Sequence, residues 1–327
     1  MLRRVLILAI ALSSFCALNA QTNQGVWIIE SVEGIWDVQE AKVPLRRMGK
    51  TDILPAGSKI RCTTTPVAAC KLTYASEGTA KPFPIKTPAA KGWIVLGQPP
   101  HPASPKRAYE LQEIVVNIGV RGGRRKDSPV CSGELPLLAP SCGELVDPQG
   151  FTLQWAPRAT EKGKTFTVLA GGADSSERRR WNAVAADAGA FHAKSLDDYL
   201  LGLELPDRAT DVTIRVMRTE SLDAIRLVRL PSRADDAEYR KKLDATALLP
   251  PLSADLARLE LFLSSGRWSK AAEIAQKFVR DVPDSLELRK YALIGFCRSE
   301  FADDVARLRA SLREAGVAGF CDAEGAP

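Results

Sequence analysis

Between Val26 and Leu96 the apolar residues fall in short runs: Val26-Trp27-Ile28-Ile29, Ile35-Trp36-Asp37-Val38, Lys71-Leu72-Thr73-Tyr74 and Trp93-Ile94-Val95-Leu96. They are rich in β-branched and aromatic types, and Gly34, Gly57, Gly78 and Gly92 punctuate them. Short runs between turn residues predict a small antiparallel barrel or sandwich. Residues 97 to 108 follow with Pro99, Pro100, Pro102 and Pro105, which cannot donate ladder hydrogen bonds, and they read as a linker. Next come Glu113-Ile114-Val115-Val116-Asn117-Ile118, Phe151-Thr152-Leu153-Gln154-Trp155, Thr165-Phe166-Thr167-Val168-Leu169 and Asp211-Val212-Thr213-Ile214-Arg215-Val216. Their alternation of apolar and polar residues predicts a second set of strands, a sandwich with Trp155 in its core. After Ser232 the period changes to about 3.6. Leu256, Leu259, Leu261 and Phe262, then Ala271, Ile274, Ala275 and Phe278, mark two amphipathic helices joined at Ser264-Ser265-Gly266-Arg267-Trp268. The expected fold class is multi-domain: all-β N-terminal and middle domains followed by an α-helical hairpin region. The boundaries fall at residues 21–96, 97–108, 109–232 and 233–327.

The chain opens with Arg3 and Arg4, an apolar stretch from Val5 to Leu18, and Asn19-Ala20-Gln21. That is the order of a secretory signal, residues 1–20, with cleavage after Ala20. The stretch is shorter than the roughly 20 apolar residues a membrane-spanning helix needs. No later segment reads as a span. Lipid attachment at Cys16 is the other reading, but bulky Phe15 stands where such sequences carry a small residue. The expected location is periplasmic or secreted.

Export changes the meaning of the cysteines. With Cys16 removed, six of the seven remain, an even number that suggests three disulfides in an oxidising compartment. Sequence order suggests Cys62 with Cys70, Cys131 with Cys142, and Cys297 with Cys321. The spacing does not suit zinc: there is no Cys-x-x-Cys, and His101 and His192 lie far from any cysteine pair.

Loss of Arg3 and Arg4 lowers the formal charge of +6 to +4. Basic clusters at Arg121-Gly122-Gly123-Arg124-Arg125-Lys126 and Arg178-Arg179-Arg180 lack the interleaved aromatics of nucleic-acid binders and read as solvated loops. No nucleic-acid partner is expected.

Three resemblances attach to these patterns. Gly34-Ile35-Trp36-Asp37-Val38, then Leu54-Pro55-Ala56-Gly57-Ser58-Lys59-Ile60, then Ala69-Cys70-Lys71-Leu72-Thr73-Tyr74 resembles FecR-like periplasmic domains over some 50 residues. Cys62 and Cys70 depart from that pattern. The resemblance implies a β-rich extracytoplasmic module for signalling or ligand contact. Phe151 to Pro157, the Trp181 segment and Leu203-Glu204-Leu205-Pro206 resemble a fibronectin type III-like or immunoglobulin-like domain. The helical end resembles a tetratricopeptide repeat. Gly266 falls at the inter-helix turn, Ala271 at the small crossing position, Phe262 at an aromatic position and Pro283 at the terminal proline, while Asp255 and Leu259 replace the usual Trp and Gly. A second unit from Leu286 keeps Phe296 but has Glu300 and Val305 at the turn and small positions. The repeat implies an inner face on which Arg258, Arg289 and Arg298 suit an acidic or C-terminal carboxylate ligand.

Catalytic motifs are absent from the sequence. There is no G-x-S-x-G, no H-E-x-x-H and no phosphate-binding glycine loop with lysine. Gly119 to Gly123 reads as a turn, and no cofactor is expected. Asp197-Asp198 and Asp303-Asp304 are adjacent pairs whose side chains diverge, the latter suited to a helix N-terminus. The expected function is a non-enzymatic adaptor or scaffold that binds a protein partner, acidic or part of the cell envelope. The alternative is a cell-envelope carbohydrate hydrolase with paired carboxylates.

Overall fold

The computed structural model describes residues 25–41, 43–66, 69–76, 79–83, 92–99, 131, 137–147, 152–155, 165–172, 179–185, 190–192, 207–218 and 221–317. The signal expected at residues 1–20, most of the proline-rich linker, the strand expected at Glu113–Ile118, the Arg121–Lys126 cluster, His101, Asp197-Asp198, Leu203–Pro206 and Cys321 lie outside the described residues. Among the described residues, strands occupy the first two-thirds of the chain and five helices the end. The chain forms two compact units, one of Met1–Glu110 with Asp281–Leu288, the other of Leu111–Arg280 with Arg289–Pro327.

In the first unit β1 (Val26–Glu33), β2 (Trp36–Gln39), β3 (Arg46–Arg47), β4 (Asp52–Pro55), β5 (Lys59–Cys62), β6 (Lys71–Ser76), β7 (Thr79–Pro82) and β8 (Ile94–Val95) build two antiparallel sheets. Their orders are β4-β1-β6-β7 and β3-β2-β5-β8. Trp27, Ile29, Leu54 and Leu72 from one sheet and Trp36, Val38 and Ile60 from the other share a single buried core. The alternation seen in the sequence puts them there, since successive side chains of a strand point to opposite faces. Both tryptophans satisfy their ring N–H inside the core: Trp27 Nε1 donates to the Gly97 carbonyl at 2.9 Å and Trp36 Nε1 to that of Glu33 at 3.0 Å. The Leu-Pro-Ala-Gly turn is closed by Ser58 N donating to the Pro55 carbonyl and Gly57 N to that of Leu96.

In the second unit β9 (Leu137–Ala139), β10 (Thr152–Trp155) and β13 (Ala190–His192) form a three-stranded antiparallel sheet. A four-stranded one contains β11 (Thr165–Gly172), β12 (Arg179–Ala185), β14 (Thr210–Arg218) and β15 (Ser221–Leu230) in the order β12-β11-β14-β15. Val212, Ile214 and Val216 are buried at every second position of β14. Arg226 on β15 donates from Nη2 to the Leu137 carbonyl on β9 at 3.0 Å, which joins the two sheets. His192 pairs with Thr152 in the ladder, and Arg179 and Arg180 stand in β12, a strand where the sequence suggested a loop. Period-two pairing with β11 explains the difference: backbone bonds hold these arginines in the sheet whatever their charge.

Helices α1 (Arg233–Thr246), α2 (Pro251–Ser264), α3 (Trp268–Asp281), α4 (Leu286–Phe296) and α5 (Ala302–Glu314) follow. The Ser232 hydroxyl caps α1 by accepting from Asp235 N, and Pro251 opens α2, where its missing N–H costs nothing. Gly266 turns the chain between α2 and α3 with φ of 74°, a left-handed conformation that favours glycine. Ala271, Ala275 and Phe278 lie along one face of α3 and are buried. Gly295 of α4 meets that face closely: a Cβ there would lie 2.9 Å from the Ala275 Cβ and 3.0 Å from the Ala271 carbonyl oxygen. Asp303 and Asp304 occupy the first turn of α5, where the helix dipole favours negative charge. No helix among the described residues is long and apolar enough to cross a membrane.

Candidate functional site

The helical arginines expected at a binding face are engaged within the fold. Arg258 donates from Nε to the Thr246 hydroxyl at 3.0 Å and its Nη1 stands 3.7 Å from the Asp255 carboxylate. Arg289 donates from Nη1 to the Ser311 hydroxyl at 2.6 Å. Arg258, Arg289 and Arg298 are all half-buried, where the repeat resemblance implied an exposed inner face. Thr246 at the end of α1, Asp255 of α2 itself and Ser311 of α5 take up the guanidinium groups of Arg258 and Arg289. Asp255 is buried and ion-paired with Lys277.

A strap from Ser141 to Asp147 connects the β-region of the second unit to its helices. Gly143 N donates to the Leu227 carbonyl, and Val146 N to that of Arg229 on β15. Leu145 N donates to the Gly266 carbonyl in the α2–α3 turn, and Asp147 stands 3.5 Å from Arg240 of α1. Glu144 at its centre is buried. Its Oε1 accepts from Ser269 N at 2.7 Å, and its Oε2 accepts from Ser141 N at 2.7 Å and from the Ser269 hydroxyl. The carboxylate thereby takes up an otherwise orphaned N–H of the first turn of α3. Burial pushes its pKa up to about 7, against the pull of the Ser269 and Ser141 donors and of Lys270.

Next to the strap, Arg267 is only 2% exposed. Its guanidinium lies over the Tyr239 ring at 3.4 Å, and Nη2 stands 3.9 Å from Asp236. Asp236 in turn accepts from Arg240 Nε at 2.6 Å. Arg267 Nε and Nη2, Tyr239 Oη and Trp268 Nε1 have no hydrogen-bond partner among the described residues. Burial lowers the Arg267 pKa and pushes Tyr239 up to about 12.

In the first unit Arg46 bridges two carboxylates. It reaches Glu40 and Asp52 at 2.6 Å each, and all three residues are buried. Burial raises the Glu40 pKa although Arg46 opposes it. Burial also opposes the Arg46 charge, but Asp52 and Glu40 outweigh it and raise its pKa. The two buried carboxylates are thus held by one guanidinium between them.

Cys62 and Cys70 lie at disulfide distance with Cα atoms 6.3 Å apart, and Cys131 and Cys142 with Cα atoms 6.0 Å apart. Cys142 is in the strap, and Cys131 Sγ accepts from Leu227 N. The partner expected for Cys297, Cys321, is outside the described residues. Among those residues no group of three His, Cys, Asp or Glu side chains is placed to hold a metal ion.

No family model matches this chain, and no curated protein matches it. Among solved structures, the FN1–FN3 domains of chicken CNTN1 are similar over 64% of this chain, with 7% identity and a TM-score of 0.20. The chain spans 58% of the length of that structure. Likeness at this level carries no argument about fold or activity.

Proposed function

We propose that the chain is a periplasmic or secreted adaptor that binds a protein partner through its surfaces and performs no chemistry of its own. Its modules are FecR-like, fibronectin type III-like and tetratricopeptide-like, in that order. The observation that carries this reading is the use made of the buried ionisable groups. Glu144 caps a helix, Glu40 and Asp52 hold Arg46, and Asp255 holds Lys277. Each is committed to a tie between elements. A general acid or base must instead reach a substrate proton.

Arg258, Arg289 and Arg298 remain the residues of the helical region proposed to meet an acidic partner, by virtue of their positive charge. The test is affinity capture from cell-envelope extract with the mature chain and with its R258A/R289A/R298A variant, at low and moderate salt. A protein retained stoichiometrically by the mature chain and weakened in the variant supports the reading. Release of sugar from cell-wall polysaccharide by the purified chain overturns it in favour of a hydrolase.

A further inference from the structure

The register of the β3-β2-β5-β8 sheet brings its outward side chains into rows. Asp37 pairs with Arg47 and Arg61, and Gln39 with Lys59, which pairs with Val95. Val38 is opposite Arg46, which is buried, and Leu45 just before β3 is exposed as Arg47 is. Trp93 falls beside Arg61, whose guanidinium lies over the indole at 4.6 Å and donates to Asp37 at 2.7 Å. Ile35 lies opposite Thr63, which donates to the Ile35 carbonyl. Of the four large apolar side chains that stand exposed among the described residues, three are on this one face: Ile35 at 44%, Leu45 at 57% and Val95 at 61%.

We propose that this outer face docks an acidic protein segment carrying aliphatic side chains. This rests on the adaptor reading in taking a protein as the occupant, and it names a surface other than the helical arginines. Three cations, Arg47, Lys59 and Arg61, face one carboxylate, Asp37, so the face is positive and complements acidic residues. The same charge repels a second copy of the face. Leu45 just before β3 and Val95 on β8 belong to opposite edges of this sheet, whose outer strands are three strand spacings or roughly 14 Å apart, with polar Gln39 and Lys59 on the strands between. A face with separated aliphatic footholds fits side chains of a polypeptide, and it lacks the continuous apolar surface that inserts into a bilayer. Arginine and tryptophan at its centre are residue types enriched where proteins bind. The edge strands β3 and β8 have two residues each, too few for an added strand to gain much from ladder bonds, so the face is the docking element.

The test uses the full mature chain and a synthetic peptide with Glu and Leu at alternate positions, its Lys-for-Glu counterpart, and phosphatidylglycerol vesicles. Binding is measured by fluorescence anisotropy for the peptides and by flotation for the vesicles. The expected result is saturable binding of the Glu peptide only, weakened tenfold or more by R47E/K59E and also by L45S/V95T, both of which change exposed side chains. Unaltered binding by R258A/R289A/R298A assigns the contact to the sheet face. Loss in that helical variant with retention in both face variants overturns the docking face and leaves the adaptor reading standing. Binding of vesicles in place of the Glu peptide, or of neither, also overturns the docking face.

Discussion

Glu144 and Ser269 are 125 residues apart in sequence, yet the Glu144 carboxylate takes the Ser269 backbone N–H at 2.7 Å and its hydroxyl besides. A side chain of the middle region therefore completes the first turn of α3. With Leu145 bonded to Gly266 and Asp147 beside Arg240, the strap makes the β-region and the helices of this unit depend on one another.

That dependence should vary with pH. A glutamate of ordinary pKa 4.5 raised to about 7 binds a proton in the folded state that the unfolded chain has already released. Its stabilising contribution is complete below about pH 4.5, declines as pH rises to about 7, and stays at its lower value above. The change is at most roughly 3 kcal/mol. Urea unfolding at pH 5 and pH 7.5 should show less loss of stability with rising pH in E144Q than in the parent chain. Equal slopes would mean that Glu144 does not titrate in this window.

The Arg46 triad gives a larger effect. Arg46→Met leaves Glu40 and Asp52 buried with no counter-charge, and should destabilise the first unit by about 3–5 kcal/mol. Replacing all three residues by apolar ones of similar volume should recover much of that loss. Denaturant unfolding followed by tryptophan fluorescence reads both, since Trp27 and Trp36 lie in the same core.

Gly295→Ala tests the helix crossing. Alanine gains about 1 kcal/mol in helix propensity, but its Cβ would meet Ala275, Ala271 and Leu259 at 3.2 Å or less. Overpacking of this kind costs about 1–3 kcal/mol, so the variant should be neutral to less stable in thermal unfolding. A clear gain in stability would show that α4 is not packed against α3 at this point.

The two short cystines should be found by non-reducing peptide mapping as Cys62 with Cys70 and Cys131 with Cys142. Losing either, by paired replacement with serine, should cost about 2–4 kcal/mol. Because Cys142 is in the strap, its loss should also raise hydrogen exchange at Ser269, the amide that Glu144 holds.

Among the described residues, a strong period in the sequence marked an element in several places. β14 alternates cleanly and α3 carries Ala271, Ala275 and Phe278 on one face, so both were legible. Helix α1 was not singled out, because its run Arg-Ala-Asp-Asp-Ala-Glu-Tyr-Arg-Lys-Lys buries only Asp236, Tyr239 and, near its end, Thr246, too few apolar residues to set a period. Glu144 was missed for another reason. It stands in Ser-Cys-Gly-Glu-Leu-Val-Asp, without periodicity or motif, and its partner is on a distant helix. The Glu144 bond comes from tertiary placement, which local pattern does not encode. Outward rows such as Leu45 and Val95 likewise needed the strand register, since in the sequence the two are 50 residues apart.

The central proposal, that the chain binds a protein partner, is tested most directly by photo-cross-linking in the cell that produces it. A photoreactive residue is placed at Lys59 on the sheet face, at Arg298 on the helices or, as a control, at the exposed Leu248. The account expects a discrete protein adduct from Lys59 or Arg298, absent from Leu248. Adducts confined to glycan or lipid, or no adduct from any of the three positions, would contradict it.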